Sequence, residues 1–127
     1  MRHVCVTPRC SAPLVLHWNG GGWSQIPSPS PNSTENFLNG VTALSANNAW
    51  AVGQSGLQSF ILHWNGAQWG RVKSPNVTAP GGYGEINTLR SIAGSTANDL
   101  WAVGSADQFL IDSMPDSATW QPRLIGR

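Results

Sequence analysis

The sequence predicts an all-β fold built from repeated units, and two internal repeats carry that prediction. Leu-His-Trp-Asn-Gly occupies positions 16–20 and returns at 62–66, each time followed three residues later by another tryptophan. Trp-Ala-Val-Gly occupies positions 50–53 and returns at 101–104. The two offsets are 46 and 51 residues. Self-similarity at a period of about 50 residues indicates a chain of stacked supersecondary units.

Composition favours short strands joined by turns and excludes two classes of partner. Glycine (14) and proline (9) are abundant between the apolar runs, as is typical of turn-rich β structure. Seven tryptophans and a hydrophobic content of 40% disfavour disorder. Charged residues make up 10% of the chain and the net charge is +1, so we expect neither nucleic acid nor a membrane as partner. The length of 127 residues predicts a single domain, 1–127.

The two cysteines, Cys5 and Cys10, leave the compartment open. A disulfide between them would require an oxidising compartment, whereas two free thiols are the simpler expectation. There is no second cysteine pair to complete a zinc site, so we predict no metal and no cofactor. Residues 1–6 lack the apolar stretch of a signal peptide, and no segment is long enough for a transmembrane helix. The protein is expected either to stay in the cytoplasm or to be exported by a signal outside this chain.

The clearest single element is a β-hairpin over 60–74. Its apolar residues alternate, and Asn65-Gly66 supplies the two residue types that best tolerate the backbone of a tight turn. Trp64 and Trp69 would then lie at the two ends of the loop and face each other across the strands. The first copy of the motif predicts the same arrangement for Trp18 and Trp23.

Two further strands precede each hairpin and complete a four-stranded unit. Residues 40–45 match 88–93 at an offset of 48, and the Trp-Ala-Val-Gly strand follows each of them. The complete unit therefore has predicted strands at 41–46, 49–53, 58–64 and 69–73. In the third unit the hairpin is modified to a strand at 109–112, a loop at 114–119 and Trp120, and Val4–Val6 matches the second strand of an earlier unit.

Four-stranded repeats of this length with tryptophan and glycine signatures resemble the blades of a β-propeller. Asn-Asp-Leu-Trp-Ala-Val-Gly at 98–104 resembles tectonin-type and tachylectin-like blades, and the His-Trp-Asn-Gly turn resembles repeat propellers of uncharacterised bacterial proteins. The resemblance implies four-stranded antiparallel blades, about 2.75 per chain. Their extents are 3–28 for a partial first blade, 41–75 for the second and 88–125 for the third. Because tectonin-like proteins include glycan binders, it also implies a lectin-like role.

The blade number predicts assembly. Propellers close with typically four to eight blades, and fewer than three blades leave sheet faces uncovered at both ends. We therefore expect self-association, in which a homo-oligomer completes the ring. The alternative is that the chain is a fragment of a longer propeller protein.

The candidate ligand-binding residues are the aromatic and imidazole groups of the repeated hairpins. Tryptophan faces stack on sugar rings, but packing between blades is the simpler expectation for them. Trp50 and Trp101 lie in apolar strands and are expected to pack. Asn48 and Asp99 are expected to cap turns by accepting from backbone N–H groups. The candidates are Trp18, Trp23, Trp64, Trp69, His17 and His63.

The two histidines are equivalent in the repeat, and the third unit has Asp112 at their position. A histidine hydrogen-bonded to a neighbouring blade is the structural expectation, and a ligand contact is the functional one. No acid–base pair, nucleophile or metal cluster is recognisable in the sequence. The sequence thus predicts a non-catalytic binding module with carbohydrate as the expected ligand. A protein-interaction scaffold is the alternative, and an enzyme is the least favoured interpretation.

Overall fold

A computed structural model describes residues 10–32, 34–111 and 123–124, and within these ranges every regular element is a β-strand. The predicted all-β class is confirmed for this part of the chain. The strands form three antiparallel sheets, with two, four and three members. They are β1 (Leu16–Trp18) and β2 (Trp23–Gln25); β3 (Asn36–Ser45), β4 (Asn48–Ser55), β5 (Gln58–Trp64) and β6 (Trp69–Val72); β7 (Tyr83–Thr96), β8 (Asp99–Leu110) and β9 (Arg123–Leu124).

The central sheet is a meander in which β3, β4, β5 and β6 pair in chain order. Three of its strands lie within two residues of the bounds predicted from the repeat. The first strand begins at Asn36 rather than at 41, because it continues across a register shift between Leu38 and Gly40. Such a β-bulge adds an unpaired residue and bends the strand, and alternation of apolar residues does not reveal it.

Both predicted hairpins form, with the same register. Trp18 lies opposite Trp23, and Trp64 lies opposite Trp69. The ring centroids of the two pairs are 5.6 Å and 5.7 Å apart, with tilts of 55° and 49°. The loops also match, since Asn19 and Asn65 each accept hydrogen bonds from backbone N–H groups two and three residues later. The following glycine has a φ of 99° in both loops, which explains the Asn-Gly sequence.

The pairing of β7 with β8 repeats that of β3 with β4 at a single offset of 51 residues. Leu38 pairs with Gly53, and Leu89 pairs with Gly104. A register shift follows each of the two pairs. The predicted offset of 48 for the first strand was therefore wrong, because bulges of the same kind keep both strands in step with the Trp-Ala-Val-Gly motif.

The glycine of that motif is explained by the bulge beside it. A Cβ atom at Gly53 would overlap the carbonyl oxygen of Phe37 and lie 2.7 Å from its carbonyl carbon. A Cβ at Gly104 would meet Thr88 in the same way, at 2.8 Å from the carbonyl carbon. The close neighbour is thus the backbone of the first strand in the same sheet, and only glycine leaves room for it.

The third sheet departs from the predicted unit, because β8 is one continuous strand where two had been predicted. The central sheet turns at Gly56, whose φ is 60°. The corresponding stretch, 105–108, reads Ser-Ala-Asp-Gln and has no glycine to adopt that conformation. The strand therefore continues and pairs with β7 as far as Leu110. The predicted strand at 4–6, the loop at 114–119 and Trp120 lie outside the described residues.

The central sheet has a strongly apolar front face and a mixed back face. Its front face, which we define by Leu38, Ala51, Leu62, Trp64 and Trp69, holds the main core, where Ala51 and Leu62 pack with the fully buried Phe60. Register pairing places these side chains on one side of the sheet. Burying them against Leu38 and Trp69 supplies the hydrophobic stabilisation of this sheet.

The back face of the central sheet, which we define by Trp50, Val52, Gln54 and His63, packs against β7. Val52 is completely buried, and the Thr88 hydroxyl donates to the Gln54 side-chain oxygen at 2.8 Å. Strand β7 also contacts β3, β4 and β5. The third sheet therefore stacks on the back face of the central sheet.

A buried asparagine joins each first strand to the preceding unit. The backbone N–H of Asn36 donates to the oxygen of Ser11 at 2.9 Å, and that of Asn87 donates to the oxygen of Leu57 at 2.8 Å. The acceptors are 46 residues apart and the donors are 51 apart, as in the repeat. The two units are thus connected by the same hydrogen bond.

The side chains of these asparagines hold the connectors that lead into the strands. Asn36 accepts from the backbone N–H of Asn32 at 3.0 Å and donates to its oxygen at 2.7 Å. Asn87 accepts from Val77 at 2.8 Å and donates to its oxygen at 3.2 Å. A side-chain amide satisfies a backbone N–H and C=O together in this way, so both are paired although the site is buried.

Two remaining expectations concern the cysteines and the membrane. Cys10 is disulfide-bonded, so the expectation of free thiols was wrong for this residue. Among the described residues there is no helix long and apolar enough to cross a membrane.

We predict opposite effects for two glycine-to-alanine substitutions in the central sheet. Gly53→Ala places a Cβ atom on the Phe37 carbonyl and should lower the free energy of unfolding by about 1–3 kcal/mol, as overpacking does. Gly70→Ala is the control, because nothing lies within 4 Å of its Cβ position, and it should be neutral or stabilise by up to about 1 kcal/mol. Urea unfolding measures both. Equal stabilities of the two variants would contradict the close approach of the Phe37 backbone to Gly53 at the bulge.

Candidate functional site

The candidate site is a cleft of about 510 Å³ between the β1–β2 hairpin and the front face of the central sheet. Its volume is within the range of small-molecule sites, roughly 300–1,000 Å³. One wall is the hairpin with its flanking residues, and the other is the central sheet. The hairpin wall comprises Leu14, Val15, Leu16, His17 and Ile26; the sheet wall includes Leu38, Val41, Ala49, Ala51, Trp64 and Trp69.

Two tryptophans form the aromatic part of the sheet wall. Strand alternation places Trp64 on the same face as Leu62, and the hairpin register places Trp69 opposite it. Both indoles are half-buried, so each one packs on the sheet and still exposes part of its ring. The Trp64 Nε1–H donates to the oxygen of Ala46 at 3.2 Å, which orients the ring.

The polar groups of the cleft come from both walls. The His17 imidazole is exposed and forms no hydrogen bond with any described residue. Asn39 donates its amide to the oxygen of Leu89 at 2.8 Å, which leaves its side-chain oxygen as an acceptor. Ser45 adds a hydroxyl group. The cleft therefore combines a mainly apolar surface with a few polar groups at its margins.

The structure divides the six predicted ligand-binding residues among three places. His17, Trp64 and Trp69 meet in the cleft, although they belong to different repeat units. Trp18 and Trp23 form an aromatic pair on the other side of the first hairpin, 50% and 67% exposed. His63 lies on the back face of the central sheet.

His63 belongs to a side-chain cluster within its own sheet. Its ring packs against Trp50 at a tilt of 42°, with centroids 4.4 Å apart, and its Nε2 lies 2.8 Å from Asn48 Oδ1. The same oxygen accepts from Trp50 Nε1 at 3.1 Å, so Nε2 carries the proton in this arrangement. The expected bond to a neighbouring unit was wrong, because this partner lies on the adjacent strand. Asn48 was also expected to cap the backbone, and instead it accepts from two side chains.

Trp101 differs from its counterpart in the repeat. Trp50 is half-buried, as expected, but Trp101 is 71% exposed, so its expected packing was wrong. In the central sheet, β5 lies beside β4 and supplies His63 to cover Trp50. In the described part of the third sheet, β8 has only β7 beside it at this position.

Sequence reasoning missed most of the apolar walls. Val41 is 66% exposed within the cleft, and Leu14 is 64% exposed on the opposite wall. Val41 follows from the alternation of β3 once the bulge is placed, but Leu14 and Ile26 lie beside the hairpin and outside the repeated motif. Nothing in the sequence indicates that these residues face the central sheet.

The chemistry of the cleft is that of contact and hydrogen bonding. No carboxylate is among its lining residues in the described part of the chain. The same part contains no group of three or more His, Cys, Asp or Glu side chains placed to hold a metal ion. The groups available to a ligand in the cleft are two indoles, an imidazole, an amide oxygen and a hydroxyl.

Comparison with known proteins gives no further guide to the function, which is therefore inferred from the sequence motifs and from the geometry of the cleft. No protein-family model matches the chain, no curated protein matches it, and no solved structure matches it.

Proposed function

We propose that the chain is a non-catalytic binding module of β-propeller type that binds carbohydrate in the cleft beside Trp64 and Trp69. The observation that carries the proposal is the meeting of two half-buried indoles with the His17 imidazole of the neighbouring unit, which has no hydrogen-bond partner among the described residues. A flat apolar ring contacts the C–H face of a sugar, and the polar groups at the margin bind its hydroxyls.

Three features support the propeller arrangement. The units stack in a constant order, since the hairpin lies on the front face of the central sheet and the third sheet on its back face. The first strands, β3 and β7, are neighbours in space, as the innermost strands of adjacent blades are. Repetition of the asparagine link at Asn36 and Asn87 indicates that the same geometry recurs from unit to unit.

The exposed face of the third sheet supports self-association as a second role. Trp101 and Val103 are 71% and 58% exposed, whereas Val52, the counterpart of Val103, is fully buried under β7. Exposed apolar side chains at a position that is covered elsewhere in the repeat favour an interface. We assign this face to a second copy of the chain in a ring. A scaffold for another protein, or further units of a longer propeller, would use the same face.

Carbohydrate binding should depend on Trp69 and not on its counterpart Trp23. Trp69→Ala removes an indole from the cleft and should weaken glycan binding about ten-fold or more, since truncating a buried aromatic anchor costs at least about 1–2 kcal/mol. Trp23→Ala removes the equivalent ring of the first hairpin, outside the cleft, and should bind as the wild type does. A glycan array followed by calorimetry measures the effect.

Trp69 also packs against the core, so His17→Ala provides an independent variant. It removes the polar group of the opposite wall and should reduce affinity without changing the unfolding temperature. Absence of binding to any glycan, or wild-type affinity in both Trp69→Ala and His17→Ala, would contradict the proposal.

Self-association should depend on Trp101. Light scattering of the 127-residue chain should give a multiple of its 13.6 kDa mass, and Trp101→Ser should shift the population toward the monomer. The control is Val77→Ser, which changes another exposed apolar side chain, 55% accessible, in a connector. A cooperatively folded wild-type monomer of 13.6 kDa at all concentrations would rule out the ring.

A further inference from the structure

A second, more polar pocket lies at the other end of the central sheet, where β4 turns into β5. Its volume is about 300 Å³. Arg71 reaches it from β6, and the connector before β3 supplies its opposite side. The lining residues are Pro31, Asn32, Ser55, Leu57, Gln58 and Arg71.

The Arg71 guanidinium is the charged group of this pocket. Its central carbon lies 5.8 Å from the ring centroid of Phe60, which is fully buried, so a fixed aromatic ring supports it. Within the described part of the chain Arg71 forms no ion pair. Glu35 is near in sequence to the pocket, but it is not among the lining residues. The positive charge is therefore not neutralised by a lining carboxylate.

Two side-chain amides add donors beside this charge. The Asn32 side-chain oxygen accepts from the backbone N–H groups of Thr34 and Glu35, at 2.9 Å and 3.0 Å. Its Nδ2 group has no acceptor among the described residues, and neither does the side chain of Gln58. The pocket therefore presents a guanidinium and two amide groups, and all three are donors without an acceptor in the described structure.

The position of the pocket relates it to the cleft. Trp69 lines the cleft and Arg71 lines the pocket, and the two residues lie two positions apart on the same strand. Alternation places them on the same face, roughly 6–7 Å apart along β6. A ligand that extends along β6 from the indole therefore reaches the guanidinium.

We propose that this pocket binds the anionic group of an acidic saccharide, a carboxylate or a sulfate, while a neighbouring sugar ring occupies the cleft at Trp69. The inference rests on the proposed carbohydrate binding and adds the class of sugar. The planar guanidinium donates two parallel hydrogen bonds to either anion, and the amides of Asn32 and Gln58 donate to the remaining oxygens.

The test compares three oligosaccharides that share a neutral backbone: one unmodified, one with a terminal uronate and one with a sulfate ester. The wild type should bind at least one acidic form about ten-fold more tightly than the neutral form, as a charge-assisted hydrogen-bonded pair provides. Which acidic form binds more tightly distinguishes carboxylate from sulfate. Arg71→Gln should reduce the ratio of the two affinities, acidic over neutral, to about one, while the affinity for the neutral form stays unchanged.

Arg90→Gln is the matched control. It removes the same charge from an exposed arginine whose guanidinium donates to Ser105 in the third sheet, and it should preserve the preference. Arg71 also covers Phe60, so Arg71→Lys, which retains the charge, should keep part of the preference and serves as a second variant.

The outcomes separate this inference from the proposed function. Binding of all three saccharides with equal affinity, or an unchanged preference in Arg71→Gln, overturns the acidic subsite alone. Failure to bind any saccharide overturns the proposed function and this inference with it.

Discussion

The buried asparagine at the start of each first strand is the constraint on which the arrangement depends. Asn36 and Asn87 link a strand to the preceding unit through a backbone hydrogen bond, and their amides hold the connector that leads into it. Both residues are at least nine-tenths buried, so an unmade bond would leave a desolvated polar group at a cost of about 1–3 kcal/mol. This cost fixes how one unit sits on the next.

Stacking of units determines where binding surfaces occur. Each sheet has a front and a back face, and a cleft forms where the back of one unit meets the front of the next. At the first such junction the walls stay apart, and His17 faces Trp64 and Trp69 across the opening. At the second junction the walls are in contact, and Val52 is fully buried there. The back face of the third sheet, with Trp101, has no cover among the described residues. Ligand binding is thus proposed at the junction whose walls stay apart, and self-association at the face that no unit covers.

Local signals in the sequence predicted the hairpins, whereas features that depend on contacts between distant residues were missed. Asn-Gly between tryptophans specifies a loop through short-range hydrogen bonds, so both hairpins form with the predicted pairs. The offset of the first strands was three residues wrong, because their alignment rested on similar side chains rather than on the register that both strands keep with the Trp-Ala-Val-Gly motif. Only half of the candidate residues meet in the cleft. They belong to different units, so their meeting depends on how the units stack, and the sequence does not reveal this. Arg71 belongs to no motif, and its pocket depends on the connector before β3.

Amide hydrogen exchange in the native protein tests the central claim most directly. The backbone N–H groups of Asn36 and Asn87 should exchange as slowly as that of Ala51 in the core, because opening either bond separates two units. Exchange of these two amides as fast as that of the exposed turn residue Gly81 would show that the units are not joined by the asparagine link, and the stacked arrangement would be contradicted.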